Sequence, residues 1–177
     1  MIRVAVTEKE YEKGKDIFEE SIKRLDFVHR SQFISQENAI ITNQLFIQKL
    51  TGIGSIVEEE HEQKVINTPW PIEICWLYIR KMQAHVILGE YDEAITAANL
   101  AKPLLWTSPN MIQVADYVFF HAIVLAQTDA TQELYEHEKQ LQVWAQNSPH
   151  NFSDRILLIS AEIARVKGND SLALELY

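Results

Sequence analysis

Read from its amino end, the chain first shows a regular alternation of apolar and polar positions just after Thr7-Glu8-Lys9-Glu10. That tetrad is a capping box, in which the Thr7 hydroxyl and the Glu10 carboxylate satisfy free amides at a helix start. Behind it Tyr11, Phe18, Ile22, Leu25 and Val28 recur at steps of three, four or seven. Such a stripe lies down one face of a helix and predicts one from about Glu8 to Arg30. A second helix is predicted from about Ser35 to Thr51, carried by Ile40, Ile41, Leu45, Ile47 and Leu50 and ended by Gly52 and Gly54. The pattern then lapses from Ser55 to Thr68, around Glu58-Glu59-Glu60-His61-Glu62. An exposed, mobile loop or a short surface helix is expected there.

The pattern resumes after Pro69-Trp70-Pro71. Ile74, Tyr78, Met82 and Ile87 predict a third helix ending at Gly89, with proline tolerated in its first turn. A fourth is expected from Tyr91 to about Lys102, with Ala94, Ala98 and Ala101 as its narrow face and a kink or stop imposed by Pro103. Ser108-Pro109 reads as the cap and first turn of a fifth helix bearing Ile112, Ala115, Phe119, Ala122 and Ala126. A sixth follows from about Ala130 to Gln146, with Leu134, Leu141 and Trp144. Pro149 separates it from a seventh, Ser153 to Lys167, with Ile156, Ile159, Ile163 and Val166. Gly168 caps that helix, and Asn169-Asp170 opens an eighth, whose stripe of Leu172, Ala173, Leu176 and Tyr177 breaks off after barely two turns. Isolated short helices are marginal, so the last helix is expected to be truncated and the chain a fragment of something longer.

Two of the turns share a wording. Gly89-Glu90-Tyr91-Asp92-Glu93-Ala94-Ile95 has Ala101 seven positions beyond Ala94, and Gly168-Asn169-Asp170-Ser171-Leu172-Ala173-Leu174 repeats it less faithfully. The first resembles the turn and second-helix start of tetratricopeptide repeats, and the two glycines stand a little over two repeat lengths of about 34 residues apart. A glycine there ends one helix in the left-handed conformation, and alanines let the next helix press close. The fold class expected is therefore all-α: one domain over 1–177, a right-handed stack of antiparallel helix pairs at about 8–51, 72–102, 109–147 and 153–177.

Composition supports long elements with few connections. The 177 residues contain only 5 Gly and 5 Pro, with 47% hydrophobic and 23% charged residues. The formal net charge of −9 makes phosphate backbones and anionic membrane surfaces poor partners. A single cysteine, Cys75, sits among Ile74, Trp76 and Leu77. It is expected to be a buried, inert thiol in a cytoplasmic protein.

No catalytic, cofactor-binding or metal-ligating set stands out. None of His29, His61, His85, His121, His137 and His150 pairs with another His or Cys at ligand spacing, and His61-Glu62 lacks the second His of a zinc-protease helix. Gly52-Ile53-Gly54 lacks the Lys-Ser/Thr ending of a phosphate loop, and the acidic run from Glu58 to Glu62 lacks the spaced oxygens of a calcium loop. An enzyme or metal protein would need His, Cys or carboxylate groups to converge in the fold. The four tryptophans are candidates for partner contacts, since tryptophan is enriched in interface hot spots. On helices it is more often packed inside, and packing is the expectation. Trp70, between two prolines, and Trp106, just past a helix end, are the two that position would leave open to a partner.

Three segments carry a more specific resemblance. They are Pro69 to Leu88 with the Gly89 turn; Leu104-Leu105-Trp106-Thr107-Ser108-Pro109 running into Ala115 to Ala122; and Leu141 to Phe152, with Trp144-Ala145 and Asn151-Phe152 flanking Pro149, running into Ala161 to Arg165. Their order resembles the helical-repeat region of very large bacterial signalling proteins, and Phe27 to Gly52 resembles the preceding part of that region. Those proteins join a serine/threonine-kinase-like domain, an ATPase module, the helical region, a sensor domain and a histidine kinase or other output. The resemblance implies a non-catalytic interaction and relay module whose partners are neighbouring domains or a signalling protein, with homo-oligomerisation open. The alternative is a free-standing adaptor that captures a peptide in a concave groove lined by polar and basic residues.

Overall fold

The computed structural model describes residues 34–128 and 132–177, together with Lys13, Asp16, Ile17, Glu19, Glu20, Lys23 and Arg24, which are helical. The rest of the helix expected from Glu8 to Arg30 lies outside the described residues, as does the expected sixth-helix start at Ala130. The described fold is all-α, with no strand among the described residues. Its helices are α1 (Ile34–Thr51), α2 (Glu58–Ile66), α3 (Pro71–Leu88), α4 (Tyr91–Ala101), a 3-10 segment (Lys102–Thr107), α5 (Ile112–Thr128), α6 (Gln132–Asn147), α7 (Pro149–Val166) and α8 (Asp170–Leu176).

Their contacts follow a simple scheme. The helices α1, α3, α5 and α7 form a row in which each packs on the next. Beside that row α2 touches α1 and α3, α4 touches α3 and α5, α6 touches α5 and α7, and α8 rests on α7. The most extensive contact is between α3 and α4, where the alanine pattern has its effect. Ala94, Ala97, Ala98 and Ala101 are buried, and they share one core with Cys75, Ile79 and Met82 of α3. Small side chains on α4 bring its backbone close to the larger apolar residues opposite, and each of those contributes about 1.5–3 kcal/mol by leaving water.

The two glycine turns are built alike. Gly89 has φ of 77° and Gly168 of 73°. At the first, the Gly89 and Glu90 amides donate to the Val86 and His85 carbonyls. At the second, the Gly168 and Asn169 amides donate to the Arg165 and Ala164 carbonyls. In both, the chain reverses while satisfying carbonyls that a helix end would leave free. Asn169 also accepts from the Leu172 amide through its side chain, capping α8.

The stretch after Ser55 takes the second of its two expected forms, the short helix α2, but docked rather than loose: His61 and Val65 are buried, and Lys81 of α3 holds Glu58 and Glu62 at 3.1 and 2.5 Å. Two helix starts differ from the sequence expectation. Ser108 does not cap α5. Its buried hydroxyl accepts from Trp76 Nε1 at 2.9 Å, and Asn110 turns with φ of 62°, so α5 starts only at Ile112. Pro149 does not separate two helices at a distance; it occupies the first turn of α7, which begins four residues earlier than expected. The stop expected at Pro103 takes the form of tightening into the 3-10 segment.

Charged groups stitch the row of helices together. Asp116 of α5 accepts from Arg155 of α7 at 2.9 Å and lies 4.0 Å from Arg80 of α3. The Arg155 guanidinium is placed over the rings of Phe119 and Phe152, at 5.2 and 5.8 Å from their centroids.

Candidate functional site

Two places in the fold have more than packing in them. The first lies between α5 and α6. His121 is one helical turn beyond Tyr117 on α5, and Glu133 and His137 are one turn apart on α6, so the four side chains meet across a single helix–helix contact. His121 Nδ1 and His137 Nε2 are 3.0 Å apart, and each lies 3.8 Å from Glu133 Oε1. Lys102, at the start of the 3-10 segment, reaches both carboxylate oxygens of Glu133 at 2.8 Å. The Tyr117 ring packs on both imidazoles, with centroids 5.1 Å from His121 and 6.3 Å from His137.

Burial sets the electrostatics. His121 is pushed below its ordinary value first by loss of water and then by the neighbouring His137, and burial lowers His137 likewise. Burial acts to raise the Glu133 carboxyl, but the hydrogen bond from Lys102 and the charges of His121 and Lys102 outweigh it and hold the group down. At neutral pH the site thus contains two neutral imidazoles, one donating to the other, beside an ionised carboxylate. The Tyr117 hydroxyl, in a residue only 1% exposed, has no hydrogen-bond partner, and burial with the nearby Glu133 charge drives it upward.

Spacing along the chain gives no hint of this meeting, because His121 and His137 belong to different helices. The legible part is Glu133 and His137, four positions apart and therefore on one face of α6. The other described histidines have other settings. His61 contacts Thr42 Oγ1 at 2.9 Å, His85 contacts Glu90 at 2.7 Å, and His150 is exposed. Cys75 is fully buried, and burial raises its thiol pKa, which suits an inert side chain.

The second place is the edge of the row where α3 begins and the 3-10 segment finishes. Packing is the sequence expectation for the tryptophans, and it fails for the two whose positions set them apart. Trp70 is 57% exposed and Trp106 72% exposed, whereas Trp76 and Trp144 are half-buried. Trp70 caps α3 and is followed by Pro71. Trp106 lies at the end of a tight segment, and the next residue but one, Ser108, is pinned by Trp76. Both rings thus stand exposed on backbone that belongs to, or directly adjoins, a helical segment. Met111 and Ile112 at the start of α5 add exposed apolar surface to the same edge.

Among the described residues no helix is long and apolar enough to cross a membrane. No family model matches the chain, and neither a curated protein nor a solved structure matches it.

Proposed function

We propose that this chain is a non-catalytic protein–protein interaction module of the tetratricopeptide-like superhelical kind, acting as a relay or scaffold in a multidomain signalling protein. The observation that carries the reading is the pair of exposed tryptophans, Trp70 and Trp106, at the edge where α3 begins and the 3-10 segment finishes. An exposed indole on an ordered backbone loses little conformational freedom when it is covered, and tryptophan leads among the residues that dominate binding energy. The row of α1, α3, α5 and α7 with partner helices beside it supports the stacked-pair reading.

The adaptor reading draws on a different observation. A groove of ≈ 290 Å³ between α1, α3 and the start of α5 has a mainly apolar lining, including Ile72 and Trp76, set with the polar groups of Asn43, Arg80 and Gln113, which could hold a peptide's side chains and backbone. The readings differ in where the partner lands. A photo-crosslinking residue placed at Asn110, beside Trp106, should give an adduct with one defined protein segment in cells. The same residue at Asn43 should give none. Adducts from Asn43 alone would transfer the function to the groove. Adducts from neither, above those from an exposed control position such as Lys139 on α6, would reject both.

A further inference from the structure

We propose that His121, Glu133 and His137 form a binding site for one divalent transition-metal ion of the zinc type. The site is separate from the tryptophan edge. Its three ligand atoms, His121 Nδ1, His137 Nε2 and Glu133 Oε1, form a triangle with sides of 3.0, 3.8 and 3.8 Å. The point equidistant from its corners lies about 2.1 Å from each, which is the length of zinc–imidazole and zinc–carboxylate bonds, about 2.0–2.2 Å. An ion at that point, or displaced slightly from the plane toward a tetrahedron, meets all three atoms with adjustments of a few tenths of an ångström.

The donor set then selects the ion. Two imidazoles and a carboxylate suit Zn²⁺ and its first-row neighbours, whereas Ca²⁺ and Mg²⁺ call for oxygen ligands throughout. Burial favours the neutral form of both imidazoles and the carboxylate is ionised, so ligation asks only that the imidazole donating in the His121–His137 hydrogen bond adopt its other tautomer. Three protein ligands leave a fourth position for a water molecule.

Lys102 is the competing cation. It holds Glu133 at 2.8 Å, and its side chain is half exposed, so the incoming ion would displace it into solvent without burying a charge. Lysine and metal therefore compete for one carboxylate. Bound metal would also clamp α5 to α6, joining residues on either side of the connection between them.

Chelator-treated protein titrated with Zn²⁺ against a colorimetric competitor, with Co²⁺ absorption as a second probe, tests the assignment. One ion per chain is expected. His137→Gln should weaken it by more than about 100-fold, beyond what loss of an outer-sphere partner alone produces. Glu133→Gln, at a partly exposed position, should do the same and carries the test if the first variant does not fold by circular dichroism. Lys102→Met should bind several-fold more tightly than the parent. Absence of a stoichiometric ion, equal binding by parent and folded variants, or no tightening in Lys102→Met would overturn the proposal.

Discussion

Acidifying the protein from pH 7 to about 4.5 should remove about 2.5 kcal/mol of folding stability through His61 alone. His61 is buried between α1 and α2, and its pKa is lowered to about 4, by burial first and by the Lys64 ammonium second. Glu37 and Glu73 pull weakly the other way. Its Nδ1 has no partner, so a proton added there would be a buried charge without an acceptor. The sign follows from linkage: between about pH 4 and 6.5 the unfolded chain takes up a proton that the folded chain refuses, so acid favours unfolding. The stabilisation is complete above the unfolded value of about 6.5 and is lost as the pH falls toward 4. His121 and His137 are lowered in the same direction and add to the loss. Urea midpoints at pH 7 and 4.5 measure it. His61→Gln removes the titrating group, so its stability should fall less than the parent's over this window, by about the amount above. Equal falls in parent and variant would show that the buried imidazole does not govern the acid limb.

The second large effect is expected where α5, α7 and the carboxyl end converge on one buried charge. Glu162 is 1% exposed. Its Oε2 accepts from Gln127 Nε2 at 2.7 Å and from Arg165 at 2.7 and 2.9 Å, and its Oε1 accepts from the Tyr177 hydroxyl. Arg165 also donates to the Ala126 carbonyl at 3.0 Å. Arg165→Met leaves an ionised carboxylate in the core with only neutral donors. Breaking such a pair costs about 3–5 kcal/mol when fully buried. Arg165 is itself partly exposed, so the low end applies: about 3 kcal/mol, or a Tm lower by about 6–12 °C in a chain of this size. Adding Glu162→Gln to Arg165→Met removes the uncompensated charge, and the double variant should be more stable than the single one. A double variant no better than Arg165→Met would mean that arginine acts through packing and not through the carboxylate.

Much of this fold is written in local pattern. The stripes on α1, α3, α5 and α7 fix helix existence, and the alanines of α4 and the glycines at 89 and 168 fix two of the turns, because these are properties of one helix or one turn. The failures occur where a residue's role is decided by a distant partner. Ser108 has the chemistry of a cap, yet Trp76, in another helix, takes its hydroxyl. The acidic run at Glu58 resembles a solvated surface until Lys81 is found against it. The candidate metal ligands are the extreme case, since only the packing of α5 on α6 brings His121 to the pair on α6. The exposure of Trp70 and Trp106 is half legible: their positions beside prolines and a helix end single them out, but an indole carries the same apolar signature whether a fold or a partner covers it, and packing is the expectation.

If the edge bearing Trp70 and Trp106 binds protein as proposed, those two exposed rings should dominate its affinity. The direct measurement is the affinity of the cross-linked partner segment for the purified chain, for the parent and for Trp70→Ala, Trp106→Ala and the double variant, with helical content and melting checked for each. Folding should be unchanged, and the double variant should lose at least about 2 kcal/mol in binding, roughly 30-fold in Kd. Parent-like affinity in a double variant that folds normally would contradict the proposal.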